Sequence, residues 1–322
     1  MKKILIVGAG GQIGSELVPH LRSIYGNSNV VAGDISAEKC KALAEAGPFE
    51  ELNALDGEGF SAIVKKYNID TIFNLVALLS ATGEKNPKLA WDINIGALTN
   101  SLYIAKDNNC AVFTPSSIGA FGNDTPKDKT PQDTLQRSNT TIYGVCKVTG
   151  ELLSDYYFNR FGVDTRSVRF PGLISYVTLP GGGTTDYAVE IYYDAIRKGS
   201  FTCNVKEGTY MDMMYMPDAL NAVVQLMEAD PSKLKHRNSF NIASMSFEPE
   251  QIAAEIRKPL PDFKMDYQID PVKQAIANSW PNSMDDTCAR EEWGWAPKFD
   301  LTSMTNDMLI KVKEKFDKGL IK

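Results

Sequence analysis

The chain has 322 residues, 43% hydrophobic and 23% charged, enough to bury one large core or two modest ones. Its net charge of −6 leaves no basic surplus to meet phosphates, which argues against a nucleic-acid or anionic-membrane partner. No apolar run is long enough to span a bilayer.

The start, Met1-Lys2-Lys3-Ile4, enters an apolar run that ends in glycines, unlike a signal or transit peptide. Five scattered cysteines (Cys40, Cys110, Cys146, Cys203, Cys288) offer neither a disulfide framework nor a CxxC pair. That usage suits a reducing compartment, and a cytoplasmic location is expected. His20 and His236 lie far apart along the chain and near no cysteine or acidic cluster, so no metal site is expected.

Residues 3–7 form a continuous apolar, β-branched run, the pattern of a strand buried on both faces of a parallel sheet. Gly8-Ala9-Gly10-Gly11-Gln12-Ile13-Gly14 follows at once, and residues 15–25 read as an amphipathic helix. Strand, glycine turn and helix in this order are the context of a dinucleotide fingerprint, although a plain glycine-rich βα turn has the same look. Gly8 and Gly11 permit a tight turn and close approach of the backbone to a pyrophosphate. The free N–H groups at the helix start would meet that anion, and Gly14 would let helix and strand pack closely.

A second predicted strand, 29–33, ends in Asp34, twenty residues beyond Gly14. An acid there suits the adenosine ribose hydroxyls and repels a 2′-phosphate, favouring NAD over NADP. The alternative is a cap for the helix predicted over 37–46, but Ser36 is the better cap and would leave Asp34 free for the ribose. A third strand, 49–55, would carry Asn53 and Ala54 to the adenine edge. A helix over 57–67 and a strand over 70–76 come next.

Ala77-Leu78-Leu79-Ser80-Ala81-Thr82-Gly83-Glu84 then forms a loop at the carboxyl end of the sheet, where such folds bind ligands. Ser80 is a substrate contact or an ordinary loop serine. The helix predicted over 88–108 carries Asn94, which either faces solvent or, held on the inner face, relays protons through water. A strand over 111–114 leads into Pro115-Ser116-Ser117-Ile118-Gly119-Ala120-Phe121-Gly122, where a serine hydroxyl can hold a reacting oxygen. Residues 123–139, rich in Pro, Asp, Thr and Lys, read as a surface loop.

The helix predicted over 140–161 contains Tyr143 and Lys147, one turn apart on the same face. A phenol with a reference pKa near 10 is too weak an acid to act as a base at neutral pH, and a neighbouring ammonium favours its phenolate. Tyr143 would thus be poised for proton transfer with a substrate hydroxyl; the same pair can also simply pack ring against stem. A strand over 163–170 ends in Arg169-Phe170-Pro171-Gly172. Beyond it comes Pro180-Gly181-Gly182-Gly183-Thr184-Thr185-Asp186-Tyr187, a flexible lid or a plain capped loop before a helix over 186–197. Short strands (201–205, 239–242, 264–267) and helices (217–228, 249–257, 271–279, 301–316) complete the chain.

The glycine turn, Asp34, Asn94, Ser116-Ser117, Tyr143-x-x-x-Lys147 and Arg169-x-Pro171-Gly172 together resemble the extended short-chain dehydrogenase/reductase superfamily of the NAD-dependent epimerase/dehydratase type. The stretches at 77–84, 115–122 and 180–188, with Ser279-Trp280-Pro281, Asp285-Asp286 and Ala289-Arg290-x-x-Trp293-Gly294-Trp295, resemble more narrowly the short-chain-type L-threonine 3-dehydrogenases. This resemblance runs over nearly the whole chain. It implies a Rossmann-type doubly wound parallel sheet with a smaller C-terminal α/β substrate-binding region. Residues 1–172 would be the NAD-binding domain, and 173–322, partly interleaved with it, mainly the substrate-binding region.

The implied reaction is oxidation of the L-threonine 3-hydroxyl with NAD⁺ to 2-amino-3-oxobutyrate, in threonine catabolism. Tyr143 would be the base, Lys147 would lower its pKa and hold the nicotinamide ribose, Ser117 would position the reacting oxygen, and Asn94 would complete the catalytic set. Gly8, Gly11, Gln12, Ile13 and Gly14 would cradle the pyrophosphate. Asp34, Ile35, Ser36, Asn53 and Ala54 would surround the adenosine, and Leu75, Ala77 and Leu173 would line the rest of the cofactor site. Ser80, Ser117, Tyr143, Thr184, Thr185 and Trp280 would surround the amino acid. Two departures are small: Ser117 and Phe170 stand where many relatives have Thr and Tyr. The resemblance also implies a homodimer paired through the helices over 88–108 and 140–161. A nucleotide-sugar epimerase or dehydratase shares the Tyr/Lys frame and is the alternative.

Overall fold

A computed structural model describes residues 1–136, 138–179 and 181–321; Arg137 of the predicted surface loop and Pro180 of the glycine-rich stretch lie outside them. Strands and helices alternate through the first half: β1 (Ile4–Val7), α1 (Gln12–Tyr25), β2 (Val30–Asp34), α2 (Lys41–Ala46), β3 (Phe49–Glu51), α3 (Gly57–Tyr67), β4 (Thr71–Asn74), α4 (Ser80–Gly83), α5 (Pro87–Asn108) and β5 (Ala111–Phe113). Then come β6 (Ser116–Ser117), α6 (Ile142–Phe161), β7 (Thr165–Arg166), β8 (Val168–Phe170) and β9 (Gly172–Ile174). The remainder is α7 (Tyr187–Lys198), β10 (Ser200–Cys203), β11 (Met211–Tyr215), α8 (Met216–Glu228), β12 (Phe240–Asn241), β13 (Met245–Phe247), α9 (Pro249–Arg257), β14 (Lys264–Tyr267), α10 (Pro271–Ser279), α11 (Thr287–Trp293) and α12 (Leu301–Asp317).

The expected doubly wound sheet is present: six strands in the order β3-β2-β1-β4-β5-β7, every pairing parallel. The apolar run at the N-terminus works as a strand buried on both faces. Ile4 and Ile6 pack with Leu17 and Leu21 of α1 on one side, while Leu5 and Val7 pack with Phe60 of α3 and Leu102 of α5 on the other. The chain leaves β1 and β4 toward opposite edges, and the crevice between them at their carboxyl ends is the position where such sheets hold ligands. A further core joins α7, α9 and α12 through residues such as Tyr192, Ile252 and Met308.

The predicted strand over 163–170 breaks in two. β7 stays with β5, whereas β8 leaves for a second sheet with β6 and β12. The switch falls at Ser167, whose N–H donates to the Arg237 carbonyl at 2.8 Å and whose Oγ accepts from the Ser116 N–H at 3.1 Å. A third sheet joins β9 to β11 and β13. These short strands and α11 carry too little periodic pattern to be read from sequence.

Candidate active site

The glycine turn is fixed by backbone contacts. Gly8 has φ +87°, a region that favours glycine, and a Cβ on Gly14 would lie 2.3 Å from the Gly8 carbonyl oxygen. α1 therefore packs directly on the turn, with its first N–H groups toward the crevice. Asp34, at the end of β2, accepts from the Gly10 N–H at 2.8 Å and from the Ser36 N–H at 2.9 Å. Two corrections follow. The helix predicted over 37–46 begins only at Lys41, without a side-chain cap. Ser36 thus does not cap α2, its Oγ accepting instead from the Lys39 N–H at 3.4 Å, and Asp34 is tied to the turn while it lines a trough at the sheet edge.

A trough of about 810 Å³ runs along the carboxyl edge of the sheet, lined by Gly8, Gly11, Asp34, Ile35, Ser36, Asn53, Ala54, Leu75 and Ala77 among others. Leu75 and Ala77 also line a second cavity of about 140 Å³, which brings Gln12, Ile13, Tyr143, Lys147 and Leu173 together with Ser80, Ser117, Thr184, Thr185 and Trp280. The two hollows are thus the ends of one cleft. Gly14 lines neither and acts by letting α1 sit close. The glycine turn, the acid at the end of β2 and this long cleft fit a dinucleotide, by shape and by donor chemistry.

Tyr143 and Lys147 stand in the first turns of α6, a helix started by Thr141, whose Oγ accepts from the Gly144 N–H at 3.0 Å. The Lys147 ammonium lies 5.3 Å from the centre of the Tyr143 ring and donates to the Pro115 carbonyl. Gly119 allows the ring in: a Cβ there would sit 3.2 Å from two Tyr143 ring atoms. Ser117, on β6, lines the same cavity as Tyr143, and its Oγ accepts from the Gly119 N–H at 3.1 Å, leaving its own proton to donate.

Asn94 is not in the cavity with Tyr143. Its amide pairs with the Leu78 backbone, accepting from N–H at 2.7 Å and donating to C=O at 3.2 Å. It borders a separate hollow of about 30 Å³, shared with Pro115 and Lys147, which has room for a water.

The site rests on a buried polar cluster. Glu151 of α6 accepts from Arg169 at 3.0 and 2.9 Å, from Gln136 at 2.8 Å and from the Ser116 hydroxyl. Arg169 also donates at 3.0 Å to the Gln132 carbonyl and to Asn241, and stacks 4.9 Å from the Phe121 ring centre. Every charge is met, as burial requires. The cluster clamps β6 and its serines against α6.

Sequence reasoning passed over Asp186. Its carboxylate lines the small cavity, and one oxygen accepts from the Gly182 and Gly183 N–H groups at 2.9 and 2.7 Å. Burial, opposed by those two bonds, raises its pKa from 3.8 to about 6. The available signal was an acid directly after a Gly-Gly-Gly-Thr-Thr run. Beside it, Thr184 Oγ1 is buried without a hydrogen-bond partner, a polar atom aimed at something the cavity would hold. Gly172 makes room for the neighbouring Thr185, whose Cβ would be 2.9 Å from a Cβ at that position. His236 also departs from its sequence reading: folding brings it among Cys288, Glu292 and Asp133, because distance along the chain is not distance in space.

The NAD dependent epimerase/dehydratase family matches residues 4–243 of the chain. A protein of Staphylococcus haemolyticus described as an uncharacterized epimerase/dehydratase is 58% identical over 315 residues, 98% of this chain and 99% of that one. Among solved structures, L-threonine dehydrogenase from Clostridium difficile has a TM-score of 0.96 at 57% identity, covering 98% of each chain. A monomeric L-threonine 3-dehydrogenase from a metagenome has a TM-score of 0.92 at 43% identity, covering 97% of this chain and 99% of its own.

Proposed function

The chain belongs to the NAD dependent epimerase/dehydratase family, and from that premise we propose that it oxidises the 3-hydroxyl of L-threonine to 2-amino-3-oxobutyrate with NAD⁺. One observation carries the reading. A carboxylate, Asp186, and two hydroxyls suited to proton transfer, Tyr143 and Ser117, converge on a cavity of about 140 Å³ at the end of a dinucleotide-sized cleft. A cavity of this size at the end of the cleft has room for a small amino acid. The likeness to solved threonine dehydrogenases supports the same substrate.

The assigned roles follow from chemistry. Asp186, ionised at neutral pH, receives the α-ammonium, and Thr184 and Ser80 offer hydroxyls to the zwitterion. Trp280 closes the cavity with an apolar wall. Ser117 donates to the reacting oxygen, and Tyr143 takes the hydroxyl proton as the carbonyl forms. Lys147, anchored on Pro115, offsets the negative charge that Tyr143 would otherwise carry alone. Asn94 holds the inner wall of the small hollow through which a water links Lys147 onward. When bound, the nicotinamide supplies the hydride acceptor. Gly8, Gly11, Gln12 and Ile13 hold the pyrophosphate, while Asp34, Ile35, Ser36, Asn53 and Ala54 hold the adenosine. Residues 1–172 form the NAD-binding domain in this reading, and the rest mainly the substrate region.

Two further assignments belong to it. Exposed apolar side chains on α5 and α6, Trp91, Tyr103, Leu152 and Tyr156, support a homodimer through these helices, and a single monomer peak in size-exclusion chromatography at micromolar concentration would refute it. The five cysteines are all free thiols, which supports a cytoplasmic enzyme.

The test is NADH formation from NAD⁺ and L-threonine by the wild type and by Tyr143→Phe. Turnover with threonine that falls by about 10²–10⁴-fold in the variant is the expected result. A wild type that binds NAD yet ignores threonine, or that is purified with NAD tightly held, would move the reading to a nucleotide-sugar epimerase or dehydratase.

A further inference from the structure

We infer that His236, Cys288 and Glu292 form a structural site for a zinc ion, set apart from the catalytic cleft, with Asp133 orienting the histidine. One ligand-type atom from each of the three lies within 4.8 Å of the others. Cys288 and Glu292 are four residues apart on α11 and so share one face. His236 comes from the segment just before β12.

The histidine is held as metal-binding histidines are. Its Nδ1 faces Glu292 Oε1, while Nε2 lies 3.2 Å from Asp133 Oδ2. As the residues stand, Nδ1–H donates to Glu292 Oε1; a bound ion would replace that proton, while Asp133, accepting from Nε2–H, keeps the ring oriented. Glu292 is fixed from behind, its other oxygen accepting from the Lys235 and His236 N–H groups at 2.6 and 3.3 Å. Phe240 packs edge-on against the imidazole, 6.1 Å between centres.

Among the described residues Glu292 has no lysine or arginine partner, its one ion pair being with His236, and Arg290 of the same helix is engaged by Asp286. A divalent ion bound there would take the Cys288 sulfur as thiolate, with its proton released to solvent. Thiolate, imidazole and carboxylate in one set, with a fourth position for water, is a donor combination for Zn²⁺.

The ion would tie α11 to β12 and, through Asp133, to the segment whose Gln132 and Gln136 brace Arg169 and Glu151. Its place is architectural, beside β12, which is separated from the Ser116–Ser117 strand by β8.

The test uses the full chain, stripped of metal with a chelator and titrated with Co²⁺ and then Zn²⁺. We expect one equivalent of Co²⁺ to give a thiolate-to-metal absorption band in the near ultraviolet, which Zn²⁺ removes by displacement. Cys40, Cys110, Cys146 and Cys203 are buried, so the band reports on Cys288. Cys288→Ser should abolish the band, and Asp133→Asn should weaken Zn²⁺ binding by about 10-fold or more. Should Cys288→Ser fold poorly, Glu292→Gln carries the test, with affinity lowered by about 10-fold or more. Absence of the band in the wild type, or an unchanged band in Cys288→Ser, would overturn the site, as would unchanged affinity in Glu292→Gln.

Discussion

Two glycine-rich turns flank the cleft, and they are held differently. At the nucleotide end, residues 8–14 are fixed mostly by close backbone packing, where a Cβ on Gly14 would meet a carbonyl oxygen at 2.3 Å, with Asp34 accepting just one of their N–H groups, that of Gly10. At the substrate end, residues 181–183 are gathered by one side chain, Asp186, which accepts two of their N–H groups. A Cβ on Gly181 would meet only Leu79 Cδ1, at 3.8 Å. The first turn is a rigid cradle for something always the same. The second depends on a titratable group, so its shape answers to protons and to the charge of whatever enters the cavity.

The sharpest way to break this contrast is Gly14→Ala. Overpacking of roughly 3 kcal/mol should lower NAD affinity by about two orders of magnitude, measured by fluorescence titration. Unchanged affinity would mean that the first turn is as adaptable as the second. Asp186→Asn comes next. Removing the charge from the ammonium partner should raise KM for threonine by about 10-fold while leaving the Kd for NAD unaltered.

The same group sets two pH dependences of opposite sign. Threonine binding needs the carboxylate, so kcat/KM should fall as pH drops through about 6 in the wild type. Stability runs the other way. With its pKa raised from 3.8 to about 6 on folding, Asp186 keeps a proton in the folded chain that the unfolded chain has released. This group's contribution therefore declines as pH rises across that interval, lowering the wild-type Tm by a few degrees relative to Asp186→Asn. A parallel pair of Tm curves would refute the assignment. The smallest effect belongs to Gly181→Ala, which has room and a permissive backbone. Its stability should stay within about 1 kcal/mol of wild type in urea melts.

The parts legible in the sequence are those specified locally. The glycine turn is dictated by contacts among near neighbours, and Tyr143 with Lys147 by the pitch of one helix. The parallel sheet follows from apolar runs such as residues 3–7. Asp186 stayed hidden because its meaning lies in burial and in a cavity whose other walls come from six other segments of the chain. The break at Ser167 was hidden because either half of an extended run looks the same, and only the partners of β8 decide. His236 looked isolated because its neighbours arrive from residues 133 and 288–292.

The Glu151–Arg169 clamp bears on how such a sequence drifts. Four elements meet there, so neither charge can be exchanged alone without stranding the other in the interior. Lineages descended from this chain can vary the cleft's rim one residue at a time. The wall behind β6 must change in concerted steps or stay as it is. A substrate preference can thus wander quickly over a foundation that hardly moves.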